Sequence, residues 1–158
     1  MLPTKHLRAL AAVARLGSVT RAGQELQRAQ SAVSRSIQEL ESALGVPLFE
    51  RRTQGLLLTT AGRVLWNRTE LAMAELHQAR EQFKQWGVLS GKQAPLYSLA
   101  VHERRLQLFI AFAEHRHLKS AATAVGITQS AASMALRDLE IHAACELFER
   151  SGAGIRLN

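Results

Sequence analysis

The fold of this chain is decided by residues 26–44, LQRAQSAVSRSIQELESAL. Val33, Ile37, Leu40 and Leu44 recur at helical spacing, which predicts a helix with one apolar face turned toward a core. A second face carries polar or cationic side chains, namely Ser31, Ser34, Arg35 and Gln38. Hydroxyl, amide and guanidinium groups can donate hydrogen bonds to phosphates and base edges, so this face suits a helix that contacts nucleic acid. An ordinary surface helix has the same two faces, so the flanking sequence must decide between these alternatives.

The chain as a whole is basic. Its 158 residues include 20 Lys or Arg and 13 Asp or Glu, which gives a formal net charge of +7. This excess favours an anionic partner, and nucleic acid and an acidic membrane surface are the two candidates. The single cysteine, Cys145, excludes an internal disulfide framework and fits a reducing compartment. Because no run of about 18 apolar residues is present, we expect a soluble cytoplasmic protein with no membrane partner.

The residues around this stretch predict three helices followed by a hairpin. A first helix is expected to end near Gly17, and a short second helix follows it. The third helix covers residues 30–44 and ends at a glycine. Two short apolar runs within residues 48–59 flank a turn at Gln54-Gly55, which predicts a small β hairpin. This order of elements is that of a winged helix-turn-helix.

Three blocks within residues 7–65 carry a family resemblance: LRALAAVARLGSVTRAGQEL, QSAVSRSIQELESALGVPLFER and LTTAG. In this order and spacing they resemble the DNA-binding domain of LysR-type transcriptional regulators, which are bacterial proteins that bind double-stranded DNA. The family usually has proline after the glutamine of the second block, whereas this chain has Ser31. That departure puts the exact base preference in doubt more than the fold.

The resemblance implies that residues at the start of the third helix contact the major groove: Gln30, Ser31, Ser34, Arg35 and Gln38. Arg51 and Arg52 lie at the wing, where they are expected to contact phosphate or the minor groove, and pairing with Glu50 is the alternative for one of them. Arg21 and Arg28 flank the helix starts. They are expected to position the DNA backbone, and solvated surface charges are the alternative.

A long helix is predicted over residues 60–87, with Thr59 or Thr60 as its cap. Its apolar and small side chains fall on two heptad positions, which are occupied by Leu65, Thr69, Ala72, Leu76, Ala79, Phe83 and Trp86. The resemblance implies that this linker helix pairs chains into a homodimer or a higher oligomer, and packing on its own domain is the alternative. Residues 88–102 are expected to form a linker, with a short strand over Leu96–Val101.

Residues 103–158 repeat the first unit at a constant offset of 99. Leu48-Phe49-Glu50-Arg51, for example, returns as Leu147-Phe148-Glu149-Arg150 without a gap. We therefore predict a mainly α fold with small β wings, in which tandem winged helix-turn-helix domains, residues 1–59 and 103–158, are joined by the long linker helix.

The two copies differ in charge. Residues 1–59 carry eight Lys or Arg and four Asp or Glu, whereas residues 93–158 carry seven and six, and Arg35 becomes Met134. Because phosphate contacts depend on positive charge, the first copy is expected to bind DNA. The second is either a weak DNA binder or a module repurposed for protein contacts.

No grouping typical of an enzyme is present: no Ser/His/Asp set, no paired carboxylates and no glycine-rich phosphate loop. The six histidines lack metal-ligand spacing, so no catalytic residue, metal or cofactor is expected. The sequence thus predicts a sequence-specific regulator of LysR type that binds the major groove as a dimer. The alternative is a protein-interaction or assembly module with only non-specific DNA affinity.

The LysR-type resemblance implies a further domain. Regulators of this family carry a small-molecule-binding α/β domain after the linker helix, and residues 88–158 do not resemble one. We therefore expect the natural chain to continue past Asn158, and we expect a small-molecule effector only if that missing domain exists.

Overall fold

The computed structural model describes residues 3–53, 55–89, 95–151 and 154–157. These residues form helices and two antiparallel hairpins, so the fold is mainly α with small β wings, as predicted. The helices are α1 (Thr4–Leu16), α2 (Val19–Glu25), α3 (Gln30–Leu44), α4 (Thr60–Gln85), α5 (Glu103–His115), α6 (Leu118–Val125) and α7 (Gln129–Ala143). The strands are β1 (Phe49–Arg52), β2 (Gly55–Leu58), β3 (Phe148–Ser151) and β4 (Gly154–Leu157).

The chain divides into two units, Met1–Glu75 and Leu76–Asn158. The division falls inside α4, whereas the sequence placed domain borders at the two ends of the linker helix. Each unit contains its own cluster of buried apolar side chains. The two halves of α4 therefore belong to different cores.

The core of the first unit lies where α1, α2 and α3 meet. Leu10, Val13, Val33 and Leu40 are fully buried there. Leu44, which the periodicity placed in the same stripe, is 41% exposed. It is the last residue of α3, and the chain turns away at the glycine that follows, so the helix has no core beneath it at that point.

The wing of the first unit is tied to α3 by a carboxylate. Strands β1 and β2 pair antiparallel with Phe49 opposite Leu58. Glu41 Oε1 accepts hydrogen bonds from the backbone N–H groups of Leu48, at 2.7 Å, and Phe49, at 3.2 Å. These bonds fix the point at which the hairpin leaves the helix. The predicted turn residue Gln54 lies outside the described residues.

Helix α4 begins where the sequence predicted. Thr59 Oγ1 accepts a hydrogen bond from the N–H of Gly62 at 3.0 Å, which satisfies one of the free donors of the first turn. A Cβ at Gly62 would lie 2.0 Å from the carbonyl oxygen of Leu48. Only glycine therefore allows this turn of α4 to lie directly against the chain entering the wing.

In the second unit, α5, α6, α7, β3 and β4 follow in the same order as the elements of the first. Phe112 and Phe148 pack edge to face, with ring centroids 5.4 Å apart, in its core. Glu140 Oε1 accepts from the backbone N–H groups of Leu147, at 3.0 Å, and Phe148, at 3.1 Å. This arrangement repeats that of Glu41 at the offset of 99 residues.

A further cluster in the second unit includes the second half of α4. Leu76 and Phe83 of α4 pack against Leu139, Cys145 and their neighbours. Burial raises the pKa of the Cys145 thiol, and the hydroxyl of the buried Tyr97 lies 3.9 Å from its sulfur.

The strand predicted over Leu96–Val101 is wrong. Pro95–Ser98 form a 3-10 helix instead. Leu96 and Tyr97 are adjacent and both buried, whereas a strand would turn them to opposite faces. Residues 90–94 of the predicted linker lie outside the described residues.

Candidate nucleic-acid interface

Helix α3 has one buried face and one polar face. Val33, Ile37 and Leu40 face the core, together with Ser36, which is 2% exposed. The opposite face carries the predicted major-groove set, with Ser34 half-buried and the others exposed: Gln30, Ser31, Ser34, Arg35 and Gln38. The fold thus places these five side chains on the outward part of one helix, as their spacing predicted.

Arg35 is held by a neighbour one turn further along α3. Its side chain is 79% exposed, and Nε donates to Glu39 Oε1 at 2.8 Å. The other carboxylate oxygen of Glu39, Oε2, lies 2.9 Å from Nε2 of His6, a buried residue of α1. The hydrogen bond from Arg35 is the main cause that lowers the pKa of Glu39, and the charges of His6 and Lys5 act in the same direction. Glu39 therefore stays ionised at neutral pH and pairs with Arg35, and because both side chains are exposed this ion pair can also be exchanged for an acceptor on DNA.

The sequence did not point to Glu39 or His6 as part of the interface. The spacing of Arg35 and Glu39 by four residues is a local signal for such a pair. The contact with His6 joins residues 33 positions apart, and nothing in the sequence pattern marks it.

The two wing arginines differ in their surroundings. Arg52 Nη2 lies 3.1 Å from Glu50 Oε1, which is the alternative expected for one of the pair. Both side chains of that pair are well exposed, so the ion pair is weak and easily exchanged for a phosphate. Within the described part of the chain, Arg51 is exposed and forms no ion pair. The wing thus presents two guanidinium groups to solvent.

The arginines that flank the helix starts lie in different environments. Arg21 is exposed, and its backbone N–H donates to Ser18 Oγ, which caps α2. Arg28 is half-buried, and its Nη2 lies 3.4 Å from Oγ of Ser36. The side chain of Arg21 is therefore accessible to a DNA backbone, whereas that of Arg28 packs against α3.

The wing also contacts the turn between α1 and α2. The backbone N–H of Leu56 donates to the carbonyl oxygen of Gly17 at 3.2 Å. Gly17 has a φ of 63°, a left-handed conformation that glycine adopts without strain. The wing is consequently held against the turn between α1 and α2.

The corresponding face of the second unit has different chemistry. Met134 stands at the position of Arg35 and is 69% exposed. Arg150, at the position of Arg51, pairs with Glu140, so it is not free for phosphate. Thr128 caps α7 by accepting from the N–H of Ala131 at 3.2 Å, whereas α3 has no side-chain cap. The second helix is better capped and the first has the more cationic face.

The described residues contain no group of three or more His, Cys, Asp or Glu side chains that could hold a metal ion. Across the same part of the chain, no helix is long and apolar enough to span a membrane.

The sequence matches a known family over most of its length. The model of the family "Bacterial regulatory helix-turn-helix protein, lysR family" matches residues 4–63 and again residues 104–158. The chain belongs to the LysR family. Both matched segments of this LysR-family chain contain three helices and most of a hairpin.

Curated relatives of this LysR-family chain are transcriptional regulators. The HTH-type transcriptional regulator GalR of Pseudomonas putida is 41% identical over 151 residues, which cover 96% of this chain and 36% of GalR. The HTH-type transcriptional regulator PunR of Escherichia coli K12 is 38% identical over 109 residues, which cover 66% of this chain and 34% of PunR. The chain therefore spans about a third of the length of these relatives.

Solved structures of similar proteins include complexes with DNA. The BenM DNA-binding domain bound to benA site 1 DNA is 31% identical, with a TM-score of 0.49, over 53% of this chain and 94% of that one. The CbnR DNA-binding domain in complex with DNA is 27% identical, with a TM-score of 0.47, over 53% and 97%.

Proposed function

We propose that this chain is the DNA-binding part of a LysR-type transcriptional regulator, and that its first unit makes the sequence-specific contacts. The observation that carries the proposal is the outward face of α3, where Arg35 is oriented by Glu39 beside exposed serine and glutamine side chains. A guanidinium suits the acceptors of a guanine edge, and the wing arginines suit phosphate. As a regulator of bacterial genes, the protein acts in the cytoplasm.

A titration of duplex DNA followed by fluorescence anisotropy at several salt concentrations tests this proposal. The variant Arg35→Ala/Arg52→Ala should weaken binding and make the dependence of log Kd on log salt shallower by about 0.9, because Arg52 supplies one phosphate contact while Arg35 contacts a base. The control Lys84→Ala/Arg104→Ala removes the same charge from positions outside the interface. If both variants bind like the wild type, the first unit is not the DNA-binding unit.

We propose that the second unit is a diverged second winged helix. The order of its elements, the Glu140 contact with the start of β3 and the family match to residues 104–158 support this assignment. The relative GalR aligns with 151 of the 158 residues, so its similarity extends into both units.

We propose that two copies of the chain associate along α4, but not through the full predicted seam. Leu65 packs on the core of the first unit, Thr69 is buried, and Leu76, Ala79 and Phe83 pack in the second unit. Of the predicted set, Ala72 and Trp86 are exposed. Val64 and Leu71, which are 60% and 54% exposed and one heptad apart, offer a face that both cores leave uncovered.

An assembly module is the second candidate function, and one observation favours it. Met134 and Ile141 of α7 are 69% and 71% exposed, which is unusual for apolar side chains of this size. Under this alternative the second unit contacts another protein, and DNA affinity is only non-specific.

A further inference from the structure

A cleft opens in the second unit where three elements meet. Its volume is about 670 Å³, and it lies between the α5–α6 turn, the start of α7 and strand β4. The polar side chains that line it are Arg116, His117, Gln129, Ser130, Ser133 and Arg156. No carboxylate lines this cleft among the described residues.

Two arginines, Arg116 and Arg156, line this cleft. Arg116 and Arg156 also line an adjoining cavity of about 470 Å³, so the two side chains share one region of the surface. Neither forms an ion pair within the residues that the structure describes. Like charges that share a region repel each other, and an anion bound between them removes that repulsion.

The first unit has other side chains at the corresponding place. Gly17 and Leu57 stand at the positions of Arg116 and Arg156. There the wing packs directly against the turn between α1 and α2. The N–H of Leu56 donates to the carbonyl oxygen of Gly17, and a Cβ at Gly55 would lie 2.8 Å from that oxygen.

In the second unit the equivalent glycine has open space beside it. A Cβ at Gly154 would meet no described atom within 4 Å. The two arginines are thus specific to the second unit, although the sequence repeat is continuous.

Arg116 occupies a backbone conformation that favours glycine. Its φ is 54°, at the end of α5, and the first unit has Gly17 at this point with a φ of 63°. Glycine adopts this conformation without strain, so an arginine stands here at a conformational cost. The side chain at this position is a cation that lines the cleft.

The start of α7 adds hydrogen-bond donors to the same cleft. Gln129 and Ser130 are exposed at the first turn of this 15-residue helix, and Thr128 caps it. The hydroxyls of Thr128 and Ser130 lie 3.1 Å apart. A helix start of this kind favours a phosphate, and the two arginines provide the charge that a helix start alone lacks.

We infer that this cleft binds phosphates of the backbone of duplex DNA, so that the second unit holds DNA by charge while the first discriminates sequence. The inference rests on the proposed DNA-binding function of the chain. It assigns a role to Arg116 and Arg156. The lower net charge of the second copy does not indicate such a role.

The test compares the full chain carrying Arg116→Gly/Arg156→Ala with wild type in anisotropy titrations of duplex DNA over a range of salt concentrations. Glycine fits the backbone at position 116, so the variant should fold, and its thermal unfolding is recorded as a check. Arg116→Lys/Arg156→Lys keeps the charge. Lys84→Ala/Arg104→Ala removes two charges that do not line the cleft.

We expect the Gly/Ala variant to bind several-fold more weakly and its salt dependence to be shallower by about 1.8, because two phosphate contacts at about 0.9 each are lost. The Lys variant and the control should keep the slope of the wild type. An unchanged slope in the Gly/Ala variant, or an equal change in the control, overturns the inference. A change in self-association without a change in DNA binding also overturns it.

The same titrations separate this inference from the proposed function. Each pair of substitutions is also measured in the Arg35→Ala/Arg52→Ala background. If that background binds like wild type and the cleft variant does not, the first-unit proposal fails and the cleft survives. If only the first-unit variant weakens binding, the cleft inference fails alone.

Discussion

Glu39 stands between two basic side chains, the buried His6 of α1 and the exposed Arg35 of its own helix. The second unit repeats half of this arrangement, since Arg105 Nη2 of α5 lies 3.0 Å from Asp138 Oδ2 of α7. These residues occupy the positions of His6 and Glu39. The contact between the first and third helices is therefore kept in both units, and of these two acids only Glu39 also pairs, among the described residues, with an arginine of its own helix.

At the residue scale, Glu39→Gln tests whether this restraint contributes to base discrimination. The variant removes a negative charge from the interface and releases Arg35, so non-specific affinity should rise while the preference for a selected site over mixed sequence falls several-fold. Both affinities are measured by anisotropy. Glu75→Gln, an exposed acid on α4, is the matched control. Equal behaviour of the two variants would show that Glu39 does not position Arg35.

The lowered pKa of Glu39 sets the pH range of that experiment. Since the folded-state pKa lies below the ordinary value of 4.5, the folded state binds the proton less readily than the unfolded state. Stability contributed by the carboxylate is therefore present above about 4.5 and is lost as the pH falls through the lowered value. Titrations between pH 6 and 8 consequently leave this pair intact.

At the scale of elements, the sequence predicted the helices and hairpins that depend on neighbouring residues. It missed the element whose form depends on contacts with distant residues. The three helices and the hairpin of each unit follow from periodicity and from residues such as Gly45, which ends α3. The 3-10 helix at Pro95–Ser98 was not predicted because its form depends on Leu96 and Tyr97 packing against α7, more than 40 residues away.

The heptad pattern of α4 stays a prediction of a dimer interface, and part of it also has a role within the chain. The pattern at Leu76 and Phe83 is real, but these side chains serve the chain's own second core. The second copy gains cations at Arg116 and Arg156, and this local gain is not visible in its lower net charge.

The face of α4 that carries self-association can be identified by charge insertion. Leu71→Arg should weaken self-association, because it places a charge in the proposed interface, and sedimentation velocity over a range of concentrations measures this. His77→Arg adds a charge to an exposed position on a different face of α4 and should have little effect. If Ile141→Arg disrupts self-association and Leu71→Arg does not, then the apolar face of α7 carries the assembly.

At the scale of the whole molecule, the two copies of the repeat differ in net charge. Residues 1–59 have a net charge of +4 and residues 93–158 a net charge of +1. Net charge describes the long-range field that attracts DNA, whereas phosphate binding depends on where the unpaired cations lie. A unit with little net charge can therefore still hold a phosphate, provided that cations such as Arg116 are left unpaired.

Two separate cores imply that the units unfold separately. Leu40 and Leu139 occupy equivalent positions and are both almost fully buried, one in each unit. Truncation of either to alanine should remove about 2–5 kcal/mol from the unfolding free energy of its own unit. Hydrogen exchange followed by mass spectrometry should show loss of protection confined to residues 3–53 for Leu40→Ala and to residues 95–151 for Leu139→Ala. Loss in both regions for either variant would mean that the units fold as one, and then the binding effects of the two interfaces could not be assigned independently.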